Sequence, residues 1–180
     1  MSKKKNPVTA GEFLKQLSQD PDFVRRDQER EQKRRELEAK LRTNEQPLVV
    51  ELIKAGCKVN SVWDLVNTTA TYREAIPVLL KHLQLEYHPR VLEGIARALT
   101  VPEARGQPAK VILTELIRQA DKDKGQLRFA LANALATAGH ASMRSDIESL
   151  LADPRFADLR DVLLLVIKKI SSRTLKNTEW

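Results

Sequence analysis

Three histidines, His82, His88 and His140, and one cysteine, Cys57, are the side chains of this sequence best suited to proton transfer, nucleophilic attack or metal ligation. Helical metal sites place their ligands on one face, at i, i+3 or i+4, and these histidines are too dispersed for a ligand set. Each is read as a surface or turn residue. Cys57 follows Gly56 at a helix end and has no second cysteine for a disulfide or thiolate cluster, so it is read as a structural thiol in a reducing compartment. Asp121 and Asp123 form a carboxylate pair of the kind that serves general acid–base chemistry, but they lie in a Lys-containing turn, 120–125, where solvent is the expected neighbour. The six glycines stand singly, away from any phosphate loop, dinucleotide fingerprint or nucleophile elbow. The expectation is a protein that is not an enzyme and that uses no metal and no cofactor. An enzyme reading would require a pocket converging on His82, His88 or Asp64.

The elements that would position these residues are helical. Hydrophobic residues make up 42% of the chain and aromatic residues only 4%, so the apolar mass is Leu, Ile, Val and Ala. Residues 1–8, with Lys3 to Lys5, read as a disordered basic tail, and 9–46 as N-terminal helices. Thr9-Ala10-Gly11-Glu12 has capping-box spacing, with Phe13, Leu14 and Leu17 on one face behind it. Asp20 caps a second helix and Pro21 opens it, where a missing N–H costs nothing. From Arg25 to Glu36 there are six basic, four acidic and no apolar residues, which describes a helix surrounded by water. Leu37, Leu41, Leu48, Val49, Leu52 and Ile53 restore an apolar stripe. Pro47 is expected to start a fresh helix within it, and Gly56 to end that helix. Asn60 or Ser61 then caps a short helix carrying Trp63 as a core residue. Thr71-Tyr72-Arg73-Glu74 is a second capping box. Neither a signal peptide nor a membrane span is expected, since the longest aliphatic run is Val162 to Ile167, and the chain reads as cytoplasmic.

Beyond residue 75 the pattern repeats. Leu79, Leu80 and Leu83 correspond to Ile112, Leu113 and Leu116, at an offset of 33, and then to Ile147, Leu150 and Leu151, at offsets of 35 to 37. In the helices that follow, Val91, Ile95 and Leu99 match Leu127, Leu131 and Leu135, and then Leu159, Leu163 and Ile167, at offsets of 36 and 32. Periods of this length mean stacked helical hairpins, because one pair cannot bury both its stripes and neighbours can. The fold class is therefore all-α, a short α-solenoid of three to four helical pairs over 47–170, with the N-terminal helices as an extension and 171–180 as a tail.

The segment Ile76-Pro77-Val78-Leu79-Leu80-Lys81-His82-Leu83, followed by His88-Pro89-Arg90-Val91-Leu92-Glu93-Gly94-Ile95-Ala96-Arg97-Ala98-Leu99, resembles a HEAT or PBS-lyase-type HEAT repeat. Those families carry a proline early in the first helix and an Arg-Val pair opening the second. Leu127-Arg128 and Leu159-Arg160 are similar to that pair, without the proline. The resemblance covers about residues 75–170. It implies a binding protein whose second helices line a concave face, with proteins as the commonest partners and nucleic acids sometimes.

On that face the offsets superpose Arg90, Glu93 and Arg97 on Gln126, Phe129 and Asn133, and then on Asp158, Asp161 and Leu165, with Lys168 beyond. Three basic and three acidic residues cancel. A neutral ladder that includes Phe129 and Leu165 suits a protein surface better than the duplex held by HEAT-like alkylpurine DNA glycosylases. The net charge of +7 is likewise spread, with +3 on residues 1–46 and +4 on the remainder. The expectation is a bacterial protein that scaffolds or occludes a protein partner, resembling the immunity proteins that neutralise toxins. The alternative is nucleic-acid binding through Lys3 to Lys5, the Arg-rich helix, Lys168, Lys169, Arg173 and Lys176, with affinity falling steeply in salt.

Overall fold

A computed structural model describes residues 9–122 and 125–176. The expectations for the 1–8 tail, the side chains of Glu12, Phe13, Leu14 and Leu17, and Asp123 fall outside the described residues. Among the described residues the chain is all-helical, with no strand. No described helix is long and apolar enough to cross a membrane. Two compact units divide the chain, 1–40 and 41–180.

The first unit holds α1 (Ala10–Gln19) and the opening turns of α2 (Pro21–Lys54). Asp20 caps α2 as its sequence position predicts: one carboxylate oxygen accepts from the N–H groups of Asp22 and Phe23, at 3.0 and 3.4 Å. Between Arg25 and Glu36 every side chain is exposed except the half-exposed Glu31. Arg34 and Arg35 both pair with Glu31, which lowers its pKa through those hydrogen bonds. Such exposed i, i+3 and i, i+4 pairs support the helix only weakly.

In the second unit, α2 runs straight through Pro47 to Lys54, where a new helix start had been expected. The proline has no N–H to offer one turn back, a loss in helix stability. Leu48 and Leu52, fully buried in the core, hold the helix across it, and Pro47 itself stays on the exposed side. Termination follows the expected rule. Gly56 takes φ 97°, the Gly56 N–H donates to Ile53 O and the Cys57 N–H to Leu52 O, both at 3.0 Å, so the last carbonyls are satisfied by a left-handed turn that favours glycine. Cys57 is buried there, and burial pushes its thiol pKa up, away from the thiolate.

Then come α3 (Trp63–Val66), α4 (Ala75–Leu83), α5 (Pro89–Ala98), α6 (Gln107–Arg118), α7 (Gln126–Ala138), α8 (Arg144–Ala152) and α9 (Arg160–Lys176), with short 3₁₀ turns at Pro102–Ala104, Ala141–Met143 and Pro154–Leu159. The capping box at Thr71 does not form. α4 starts at Ala75 without a side-chain cap, because the N–H groups of Ala75 and Ile76 donate to the Tyr72 and Arg73 carbonyls instead. Helix α9 runs to Lys176, beyond the boundary expected at 170.

Sequential helices pair: α4 packs on α5, α6 on α7 and α8 on α9. α5 also packs on α7, α7 on α9, and α4 on α6, while α3 lies against α5. The repeating stripe residues make the core. Of those matched by offset, only Leu80, Leu151 and Ile167 are half-buried, and the rest are buried. At the contact of α3 with α5, a Cβ on Gly94 would stand 2.6 Å from Val62 Cγ1 and 3.1 Å from the Trp63 ring, so only glycine admits this approach. Tyr72 adds a long-range tie, donating its hydroxyl to Ala98 O at 2.8 Å.

Candidate binding face on the second helices

Helix α5 is positioned by its start. The His88 N–H donates to Asn44 Oδ1 at 2.8 Å, the His88 ring Nδ1 accepts from the Arg90 N–H, and Pro89 occupies the first helical position. This register sets Arg90, Glu93 and Arg97 on one stripe, as the i, i+3, i+7 spacing predicts. Their roles differ from the expected ladder. Glu93 is 4% exposed and its two oxygens are divided, Oε2 at 2.7 Å from Arg90 Nη1 and Oε1 at 2.8 Å from Arg97 Nε. It therefore holds the two guanidiniums in place and offers no free edge to a ligand. Arg90 is pinned further by Trp63, whose ring centroid lies 4.2 Å from the guanidinium carbon. Trp63 is accordingly half-buried, one side on the core and the other under Arg90.

On α7, Gln126 is exposed, Phe129 stands 44% exposed, and Asn133 is half-buried with its Nδ2 donating to Phe129 O at 3.0 Å. Of the third group, Asp158 is engaged: its Oδ1 lies 3.2 Å from Arg128 Nη2. Asp161 and Lys168 are exposed, and Leu165 is 39% exposed. Leu164, beside it and also exposed, was not among the expected site residues, because the helical stripe assigns adjacent apolar positions to the core. Arg128 was likewise missed. It is 1% exposed, lies against the Phe156 ring and donates to the Arg155 carbonyl as well as to Asp158, bridging α7 to the turn before α9.

A cleft of about 630 Å³ opens beside this face, between the loop 67–72, the end of α5, the 101–103 turn and α7. Arg97 and Asn133 line it, so the structure brings together two of the expected residues from neighbouring helices. Threonines 68, 69 and 71 supply hydroxyls at its rim, and Leu65, Ile76, Val101 and Ala130 an apolar floor. The loop that closes one side has no apolar period, so nothing in its sequence pointed to a wall. None of Gln126, Phe129, Asp158, Asp161, Leu165 or Lys168 lines that cleft.

The histidines separate. His88 and His140 are exposed and cap turns, His140 Nδ1 accepting from the Ser142 N–H at 3.3 Å. His82, expected at the surface, is instead 1% exposed. Its Nδ1 is hydrogen-bonded to the Tyr87 hydroxyl at 2.7 Å, which offsets part of the cost of burying the ring, and its Nε2 lies 3.2 Å from Glu51 Oε2. Glu51 also takes Lys81 Nζ at 2.7 Å, and its pKa is lowered first by Lys81 and then by His82. This chain of groups joins α2 to α4. Burial, with the Glu51 charge adding to it, pushes the Tyr87 hydroxyl pKa up, the reverse of what a nucleophilic phenolate needs. None of His82, His88 and Asp64 lines the cleft.

No protein-family model, curated protein or solved structure matches the chain. The HEAT-like resemblance therefore stands on residues 75–170 themselves.

Proposed function

We propose that the chain is a non-enzymatic binding protein whose helical pairs stack as a short HEAT-like solenoid and whose second helices hold a protein partner. One observation carries the reading: Phe129 and Leu165, on neighbouring helices α7 and α9, stand in solvent among polar groups while the opposite sides of the same helices are buried in the core. Large apolar side chains ringed by polar ones are the pattern of a contact surface, and aromatic anchors contribute most to such surfaces. The surface is preformed, since Glu93, Trp63 and Asp158 fix the arginines around it. Occlusion of a toxin, the niche implied by the resemblance, is one form such capture takes.

Nucleic acid is the weaker partner on this surface. Arg173 donates its terminal nitrogens to the Gly139 and Ala136 carbonyls, at 3.0 and 3.1 Å, and so closes the end of α7 rather than facing a phosphate. In the Arg-rich stretch of α2, Arg25, Arg30, Arg34 and Arg35 are each paired with a carboxylate. The test is affinity capture from native cells with the wild-type chain and with Phe129→Ser/Leu165→Ser. Stoichiometric recovery of a protein by the wild type alone, with equal helical circular dichroism, is expected. Equal recovery by both, or recovery of nucleic acid that 200 mM salt removes, overturns the reading.

A further inference from the structure

The cleft beside α5 continues into a second hollow that shares Ile76, Pro102 and Glu103 with it, so the two form one groove along the 41–180 unit. Arg97 lines the first part, Arg73 and Arg105 the second, and Glu103 stands in the shared wall. Three guanidiniums therefore face one carboxylate. Glu103 forms no ion pair with any of them, and Arg73 makes no side-chain hydrogen bond to a described residue. Arg97 binds Glu93 through Nε alone, leaving both terminal nitrogens without a hydrogen bond to any described residue. Arg105 is held by a single long contact, Nε to Thr137 O at 3.4 Å.

We propose that this groove seats an extended acidic segment of a partner protein, with one carboxylate received by Arg97, a second by Arg73 and Arg105, and apolar side chains between them over the Leu65 and Ile76 floor. The proposal rests on the protein-binding reading above and names the chemistry of the partner. Charge complementarity carries it. A guanidinium whose Nε is already engaged presents its two terminal nitrogens to a carboxylate, the strongest pairing open to an arginine here. The rim favours an extended chain, because Thr69 and Thr71 are exposed residues whose backbone N–H and C=O groups bond to no described residue, while the Ala70 N–H is taken by Thr68 Oγ1. A nucleic-acid strand fits less well. Its regular phosphates would meet Glu103 beside the cations, and Tyr72, the aromatic residue lining the groove, is buried, so it presents no face on which a base could stack.

The test uses the ¹⁵N-labelled full chain titrated with three blocked peptides, each with two glutamates separated by one, two or three leucines. Their glutamine counterparts and a ten-residue thymidine strand are the controls. The expected result is movement of the Thr69–Tyr72 and Thr100–Glu103 amide resonances with at least one glutamate peptide, and binding at least about tenfold weaker for its glutamine counterpart. Arg97→Gln should weaken binding by about the same factor. Arg73→Gln/Arg105→Gln, which leaves Glu93 and its partners untouched, checks the other end, and the same spectra report whether each variant is folded. No movement at millimolar peptide, equal binding of the glutamine peptides, or preferential binding of the thymidine strand overturns the groove assignment. Peptide binding does not involve Phe129 or Leu165. A silent groove together with loss of capture in Phe129→Ser/Leu165→Ser removes this inference alone, and the converse removes the second-helix face alone.

Discussion

Glu93 shows how a charged residue that reads as a surface contact becomes a structural centre. It is buried, and each carboxylate oxygen carries a charge-assisted bond to a different arginine. Glu93→Ala leaves Arg90 and Arg97 without their shared anion and should lower unfolding free energy by about 2 kcal/mol, read as a lower urea midpoint at unchanged slope. Its neighbour Gly94 is constrained by space rather than charge. Gly94→Ala drives a methyl into Val62 and should cost about 1–3 kcal/mol in the same measurement. Tyr72 supplies a pH signature. Burial is the larger and Glu103 the smaller cause that pushes its hydroxyl pKa above the ordinary value of about 10. A raised folded pKa means that the folded state keeps the phenol proton longer than the unfolded state. Its contribution is then complete below about pH 10 and is lost as pH rises through the folded value. The urea midpoint should fall as pH rises above about 10, and less steeply in Tyr72→Phe.

At the scale of the element, α2 and α4 mark where local rules yielded. Pro47 ought to have divided α2, since it removes a hydrogen bond and crowds the preceding turn. The apolar residues that follow it, Leu48 and Leu52, are fully buried, and packing outweighs the local loss. Because Pro47 is exposed and mid-helix, Pro47→Ala should stabilise the chain by about 1–3 kcal/mol, seen as a thermal midpoint several degrees higher. A fall in midpoint would mean that Pro47 contributes to the packing of α2 on the core. Thr71 fails as a cap because the Tyr72 ring is drawn into the core and its carbonyl takes the first helical N–H. Where the local signal met no competing burial, as at Asp20 and Gly56, it held.

At the scale of the molecule, α5 and α7 are the helices packed on several sides: α5 touches α3, α4 and α7, and α7 touches α5, α6 and α9. Their amides should exchange with solvent most slowly, with protection greatest around Ile95–Leu99 and Leu131–Leu135 and lower in α8, when hydrogen exchange is followed residue by residue. A rigid centre of this kind is what the proposed binding face and groove require, since Phe129 of the face stands on α7 and Arg97 of the groove on α5. Uniform exchange across α5 to α9 would argue against a preformed surface.

The sequence by itself determined the helical class, the helix start at Asp20, the stop at Gly56 and the stripes that become core, because hydrophobic period, caps and glycine stops act over a few residues. It also placed Arg90, Glu93 and Arg97 on one stripe and Arg97 level with Asn133 on the next helix. Only the tertiary structure decided what those positions do. Whether His82 is buried and whether a featureless threonine loop becomes the wall of a groove both depend on residues 30 or more positions away, Glu51 for His82 and Asn133 for Thr71. Burial at these positions is set by those distant neighbours, and no local pattern encodes it.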